Sequence, residues 1–85
     1  MSENIEKTMK ISSIEMNALE VRTIISKVYK ALEQKGYSPI SQIVGYIMSG
    51  DPSYITSHDD ARTLIRRLER DDLLEEFVRF YVENL

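Results

Sequence analysis

The sequence predicts an all-α protein, a single small bundle of about four helices preceded by a flexible N-terminal tail. Apolar residues recur at steps of three and four over most of the 85 residues, which is the spacing of one helix face. The chain holds only three glycines and two prolines, too few for the many turns of a small β-sandwich or barrel. We expect one all-helical domain over residues 14–85, because a chain this short supports a single hydrophobic core.

The tail and the first helix meet near residue 13. Residues 1–13 show neither helical nor alternating periodicity, so they are predicted to form the tail. Ser12 and Glu15 have the spacing of a capping box, which predicts a helix start there. The helix is predicted to end at Lys35-Gly36, because glycine readily takes the left-handed cap conformation. Its core face is expected to comprise Ile14, Ala18, Val21, Ile24, Ile25, Val28, Tyr29 and Leu32.

The second helix is predicted to be short. Ser38 is expected to be its N-cap and Pro39 its first helical residue. Gly50 and Pro52 are expected to end it, because glycine terminates a helix and proline cannot continue one. In the connection that follows, Tyr54 and Ile55 are expected to pack into the core. The apolar face of this helix is expected to comprise Ile40, Ile43, Val44 and Ile47.

Two further helical segments are predicted in the C-terminal part. Thr56 or Ser57 can cap the third helix, and the charged stretch 69–72 predicts a kink or a restart before the fourth. The inner stripe of the third is expected to comprise Ala61, Leu64, Ile65 and Leu68. The fourth carries Leu73, Leu74, Phe77, Val78, Phe80 and Tyr81 toward the C-terminus.

The sequence holds few residues suited to catalysis. There is no cysteine, and the one histidine, His58, stands beside Asp59 and Asp60 at a helix start. Consecutive residues of a helix point in different directions, so a capping or solvent-exposed histidine is favoured over a catalytic one. A metal site needs three or four convergent ligands, and no glycine-rich phosphate loop follows a strand. We therefore predict a protein that is not an enzyme and has no metal site or cofactor.

The charge balance argues against a nucleic-acid partner, and the hydropathy pattern argues against insertion into a membrane. The net charge is −3, whereas non-specific binding to nucleic acid needs a basic surface. No apolar run approaches the roughly 18 residues of a membrane span, and the polar start is no signal peptide, so a cytoplasmic protein is expected. The alternative is a DNA-binding protein, because residues 39–70 resemble a helix-turn-helix whose second helix carries arginines.

Two surfaces are candidates for binding a protein partner. Arg62, Arg66 and Arg70, here called the arginine row, repeat every four residues and are predicted to share a helix face. That face is either solvated or a docking surface for an acidic peptide or a phosphate, which suit the guanidinium fork. The last nine residues are too apolar for a small monomer to bury completely. They predict a homodimer whose interface contains Phe77, Phe80 and Tyr81.

Five strings of the sequence are informative, and the first two contain a long and unusual run from Gly36 to Tyr46. They are Glu33-Gln34-Lys35-Gly36-Tyr37-Ser38-Pro39-Ile40, Gln42-Ile43-Val44-Gly45-Tyr46, Ser49-Gly50-Asp51-Pro52-Ser53-Tyr54, Ala61-Arg62 and Ile65-Arg66-Arg67-Leu68-Glu69-Arg70-Asp71. Together they resemble the IreB regulatory phosphoprotein family, small proteins of low-GC Gram-positive bacteria. The resemblance covers residues 17–82 closely and reaches the tail through Thr8-Met9.

The resemblance implies a regulatory role. Members of that family are all-helical homodimers without enzymatic activity. They are substrates of the membrane serine/threonine kinase that bears extracellular PASTA repeats, and a cognate phosphatase reverses the modification. The family's modified tail threonine matches Thr8, whereas Ile5 stands where some members carry a second threonine. Its functional arginines match the arginine row, and Ser57 replaces a further arginine found in relatives.

The resemblance also implies a physiological context. Family members act in cell-wall homeostasis and cephalosporin tolerance. They are described as controlling proteolysis, by the Clp machinery, of the enzyme that commits UDP-N-acetylglucosamine to peptidoglycan. The expected partners are therefore a second copy of the chain, the kinase, the phosphatase, and either the Clp machinery or its substrate.

Overall fold

The computed structural model describes residues 13–85 of the protein. This range is all-helical and contains no β-strand, as the sequence predicts. Its four α-helices are α1 (Ser13–Gln34), α2 (Pro39–Ser49), α3 (Ala61–Ile65) and α4 (Arg70–Glu83), and two single 3-10 turns, Pro52–Tyr54 and His58–Asp60, lie between α2 and α3. None of the helices in this range is both long enough and apolar enough to cross a membrane.

Helix α1 is the element on which the others pack. It contacts α2, α3 and α4, and its buried side chains are Val21, Ile24, Val28, Ala31 and Leu32. The buried stripe is rotated slightly from the predicted one, since Tyr29 is exposed and Ile25 is only partly buried. The rest of the core comprises Ile43, Tyr46, Ile55, Ala61, Ile65 and Leu73.

The end of α1 has the predicted glycine cap. Gly36 has a φ of 83°, a left-handed conformation that costs glycine little. The N–H of Tyr37 donates to the carbonyl of Leu32 at 2.9 Å, and the N–H of Gly36 donates to that of Glu33 at 3.0 Å. These bonds satisfy carbonyls at the helix end and turn the chain toward α2.

Helix α2 begins and ends where predicted, but its buried face differs. Pro39 is its first residue, and Ser38 occupies the N-cap position without making a side-chain cap bond to the backbone. Ile43 and Tyr46 are buried, whereas Ile40 and Val44, which were expected on the core face, are exposed. Tyr46, which was not expected on the core face, takes part in the buried core instead.

The connection after α2 is held by side-chain hydrogen bonds. The Asp51 carboxylate accepts from the N–H of Ser53 at 2.9 Å, and the Gln42 amide donates to the carbonyl of Tyr54 at 2.9 Å. Ile55 is fully buried, as predicted, while Tyr54 stays partly exposed. These contacts fix the carbonyl groups of the connection, one of which becomes an acceptor for an arginine.

Helix α3 is shorter than the sequence pattern suggested. The hydroxyl of Thr56 accepts from the N–H of His58 at 3.2 Å, and Asp59 and Asp60 both have a positive φ. Ala61 and Ile65 are buried on its inner side. The helix ends at Ile65, and α4 begins at Arg70, so the predicted restart near residues 69–72 is confirmed.

Candidate interaction surfaces

The predicted phosphorylation site, Thr8, lies outside the described residues, as does most of the predicted tail. The predicted arginine row and the predicted dimer interface both lie within them. The contacts of their side chains determine which of them can reach a partner.

Arg62 is anchored on the connection that follows α2. Its Nε donates to the carbonyl of Ile55 at 2.8 Å, and the side chain is partly buried. The pKa of the nearby Asp51 carboxyl is lowered mainly by hydrogen bonds from Ser53, and Arg62 contributes a smaller electrostatic part. Because guanidinium has five N–H donors, the bond to Ile55 occupies one of them and fixes the orientation of the group.

Arg70 is anchored at the end of α2. Its Nη1 donates to the carbonyl of Ile47 at 2.9 Å, and its guanidinium lies against Gly50, where a Cβ atom would come within 2.8 Å of the Arg70 Cζ. A cation at a helix C-terminus interacts favourably with the helix dipole. Arg70 thus joins the first turn of α4 to the last turn of α2.

Arg66 is exposed and lies after the end of α3. The three residues of the arginine row therefore do not share one continuous helix, since the chain leaves the helical path between Ile65 and Arg70. The spacing alone did not reveal this break, nor the carbonyl groups that hold Arg62 and Arg70. Those acceptors are backbone atoms seven and 23 positions away, and no side-chain pattern marks them.

Arg67, which the sequence offers only among the arginines of the DNA-binding alternative, faces α1. Its Nη2 lies 3.6 Å from the Glu20 carboxylate, and the two side chains are 61% and 45% exposed. A groove runs between α1 and α3 beside this pair, here called the α1–α3 groove. It is lined by Met16, Leu19, Glu20, Thr23, Ile24, Lys27, Leu64 and Arg67.

His58 bridges the end of α1 and the turn before α3. Its Nε2 lies 2.9 Å from Oε1 of Gln34 and 3.3 Å from the Asp59 carboxylate. The contact with Gln34 links the end of α1 to this turn. No group of three or more histidine or acidic side chains within residues 13–85 has a geometry that could hold a metal ion.

The predicted dimer residues lie on α4 with different exposures. Phe77 packs against the core, whereas Phe80 and Tyr81 are 67% and 71% exposed. All three line a second groove, the α1–α4 groove, which has an apolar floor and charged edges. Its other lining residues are Ala18, Val21, Arg22, Ile25, Ser26, Tyr29, Lys30 and Glu76.

Two further apolar stripes are exposed. On α4, Leu74, Val78 and Val82 follow one another at four-residue steps. On α2, Ile40, Val44 and Met48 do the same, and no charged residue occurs anywhere between residues 36 and 50. Interface cores are typically poor in charged residues, so this helix adds a third surface suited to a protein partner.

The whole chain was compared with known proteins. The model of the IreB regulatory phosphoprotein family matches residues 6–83. The chain belongs to the IreB family. A relative from Acetivibrio thermocellus, named UPF0297 protein, is 55% identical to this chain over 84 residues. The aligned residues cover 99% of the chain and 91% of the relative. The resemblance found in the sequence is therefore confirmed, and membership of the IreB family supports a regulatory role.

Proposed function

We propose that this protein is a non-enzymatic regulator whose activity is controlled by phosphorylation of Thr8. The observation that carries the proposal is the match of residues 6–83 to a family of regulatory phosphoproteins. Because the match begins before Thr8, the threonine lies inside the shared region. The proposed donor is ATP, whose γ-phosphoryl group the membrane kinase with PASTA repeats transfers to the threonine hydroxyl. The cognate phosphatase hydrolyses the ester.

The proposed output is control of peptidoglycan supply. The kinase reports the state of the cell wall from outside, and its catalytic part acts in the cytoplasm, where we place this protein. The regulator then sets how fast the Clp machinery degrades the enzyme that commits UDP-N-acetylglucosamine to peptidoglycan. Cephalosporin tolerance follows, because it depends on the supply of cell-wall precursor.

The arginine row is the proposed surface for the downstream partner. Arg62 and Arg70 each use one N–H group on a backbone carbonyl, which leaves other donors of the same guanidinium for an acidic ligand. Arg66 is exposed. Guanidinium groups whose orientation is already fixed lose less entropy on binding, so the anchoring supports a docking role for an acidic segment.

We propose that the protein is a homodimer that pairs through the α1–α4 groove. Phe80 and Tyr81 are largely exposed there, and exposed aromatic side chains are characteristic of interfaces. Arg22 and Lys30 border the groove on α1, whereas Glu76 on α4 is 12% exposed and lies 3.6 Å from Arg79 of its own chain. The exposed apolar surface of the groove, and not its charged edge, therefore supports pairing.

The test is phosphorylation of the purified full chain by the kinase domain, followed by mass spectrometry. We expect one phosphate per chain, located on Thr8, and no incorporation into Thr8→Ala. The control is Thr23→Ala, which removes an exposed threonine from α1 and should leave incorporation unchanged. Phosphate that persists in Thr8→Ala, or disappears in Thr23→Ala, would contradict the proposal.

The alternative, a helix-turn-helix DNA-binding protein, fits these residues less well. The helix in the recognition position, α3, has five residues, which is under two turns. Asp59 and Asp60 precede it directly, where a recognition helix normally approaches the bases. A mobility shift with random duplex DNA at near-physiological salt distinguishes the two functions, because the regulator should give none.

A further inference from the structure

The α1–α3 groove combines an apolar floor with cationic side chains. Leu19 and Leu64 contribute apolar surface from α1 and α3, and Lys27 and Arg67 contribute positive charge. A phosphorylated residue with apolar neighbours suits such a surface, because the phosphate pairs with the cations while the neighbours cover the floor. The groove belongs neither to the arginine row nor to the proposed dimer interface.

Arg67 is held only loosely in the described structure. The Glu20 carboxylate is 3.6 Å from its Nη2, and both side chains are largely accessible to water. Surface ion pairs of this kind contribute little to stability. A phosphate carries more charge than a carboxylate and accepts two parallel hydrogen bonds from a guanidinium, so it would displace Glu20 from Arg67.

The segment that precedes α1 is long enough to reach this groove. Thr8 lies five residues before Ser13, and an extended chain covers at most about 3.6 Å per residue, or roughly 18 Å. Glu20 lies seven residues into α1, about 10 Å along the helix axis. The same segment carries Met9 and Ile11, which supply apolar side chains for the floor.

We propose that the N-terminal segment, when phosphorylated at Thr8, binds in the α1–α3 groove of its own chain. The phosphate pairs with Arg67 and Lys27, and the Glu20 carboxylate is released. This inference rests on the proposed function for the position of the phosphate. The sequence offered the arginine row as a docking surface for a phosphate. The α1–α3 groove is preferred for the Thr8 phosphate because its lining places apolar side chains beside the cations, where Met9 and Ile11 can pack.

The charge of the segment makes binding depend on phosphorylation. Residues 1–12 contain two glutamates and two lysines, so the unmodified segment has no net attraction to a cationic groove. Lys7 and Lys10 lie on either side of Thr8 and would be repelled by Arg67 and Lys27. Phosphorylation adds about −1.5 to −2 charges between them, which makes the segment as a whole negative.

The test uses full-length protein that carries phosphothreonine at position 8, incorporated during synthesis so that no kinase is required. In NMR spectra, the phosphorylated chain should show shifted signals for Leu19, Leu64 and the Arg67 side chain relative to the unmodified chain. Arg67→Gln should lower the equilibrium constant for docking by at least tenfold. Its matched control, Arg66→Gln, removes the same charge from the exposed neighbouring residue and should change the equilibrium less than twofold.

A second pair of variants tests the competition with Glu20. Glu20→Gln should raise the equilibrium constant for docking several-fold, because the phosphate then no longer competes with a carboxylate for Arg67. Glu33→Gln removes the same charge from an exposed position on α1 outside the groove and should have little effect. If the two glutamate variants, or the two arginine variants, had equal effects, docking would depend on the overall charge and not on the groove. That result would overturn the inference.

Two other results would also overturn it. One is a phosphorylated spectrum in which the groove signals match those of the unmodified chain. The other is a shift in the groove of isotope-labelled unmodified protein when unlabelled phosphorylated protein is added, because it would place the segment on another copy. If the kinase fails to modify Thr8 but the phosphorylated chain docks as described, the proposed function fails and this inference stands.

Discussion

Gly45 is a position at which one added methyl group should directly disturb the packing. A Cβ atom at this position would overlap the ring of Tyr54, which lies across α2. The backbone of Tyr54 cannot easily move away, since its carbonyl accepts a hydrogen bond from Gln42 at 2.9 Å. Close packing, rather than a special backbone conformation, is therefore what requires glycine here.

We expect Gly45→Ala to destabilise the protein by about 1–2 kcal/mol. Overpacking typically costs about 1–3 kcal/mol, and the better helix propensity of alanine offsets up to about 1 kcal/mol. In a Tyr54→Ala background, where the ring is absent, the same change should be stabilising. Chemical denaturation of the four proteins measures both effects, and a destabilisation that persists without the ring would contradict this explanation.

Arg70 is expected to act in folding as well as in binding. Arg70→Met removes the hydrogen bond to the Ile47 carbonyl and the cation at the C-terminus of α2, at a cost of about 1 kcal/mol for an accessible group. Arg66→Met is the control, since it removes an exposed arginine of the same row and should cost under about 0.5 kcal/mol. Thermal unfolding followed by circular dichroism compares the two, and equal losses would refute a structural role for Arg70.

At the scale of elements, local signals predicted the helix ends better than the buried faces. Gly36 and Gly50 end helices as expected, because the left-handed cap conformation depends on the residue itself. The faces depend on neighbours that a sequence does not place. Ile40 and Ile43 fit the same helical stripe, yet only Ile43 is buried, since α1 covers one side of α2.

The exposed face of α4 is the element on which the proposed dimer depends. Phe80→Asp places a charge in the α1–α4 groove and should give a folded monomer, because Phe80 is mostly exposed and contributes little to the core. Met48→Asp is the matched control, since Met48 is 77% exposed on α2, and this variant should remain a dimer. Sedimentation equilibrium at micromolar concentration measures both. A monomeric Met48→Asp with a dimeric Phe80→Asp would move the interface to α2.

At the scale of the whole molecule, a small helical domain presents several separate surfaces and a long N-terminal segment. Family membership and the all-α fold could be predicted from the sequence, because both follow from local strings and periodicity. The α1–α3 groove could not, since Leu19 and Leu64 lie 45 positions apart and meet only through tertiary packing. The same holds for the pairing of Arg67 with Glu20.

The most direct test of the regulatory account is the half-life of the peptidoglycan-committing enzyme in living cells. It is measured after protein synthesis is stopped, in cells that carry the natural chain, the Thr8→Ala variant or a deletion of the gene. The account predicts that deletion changes the half-life and that Thr8→Ala also differs from the natural chain when the kinase is active. The same half-life in all three strains would contradict it.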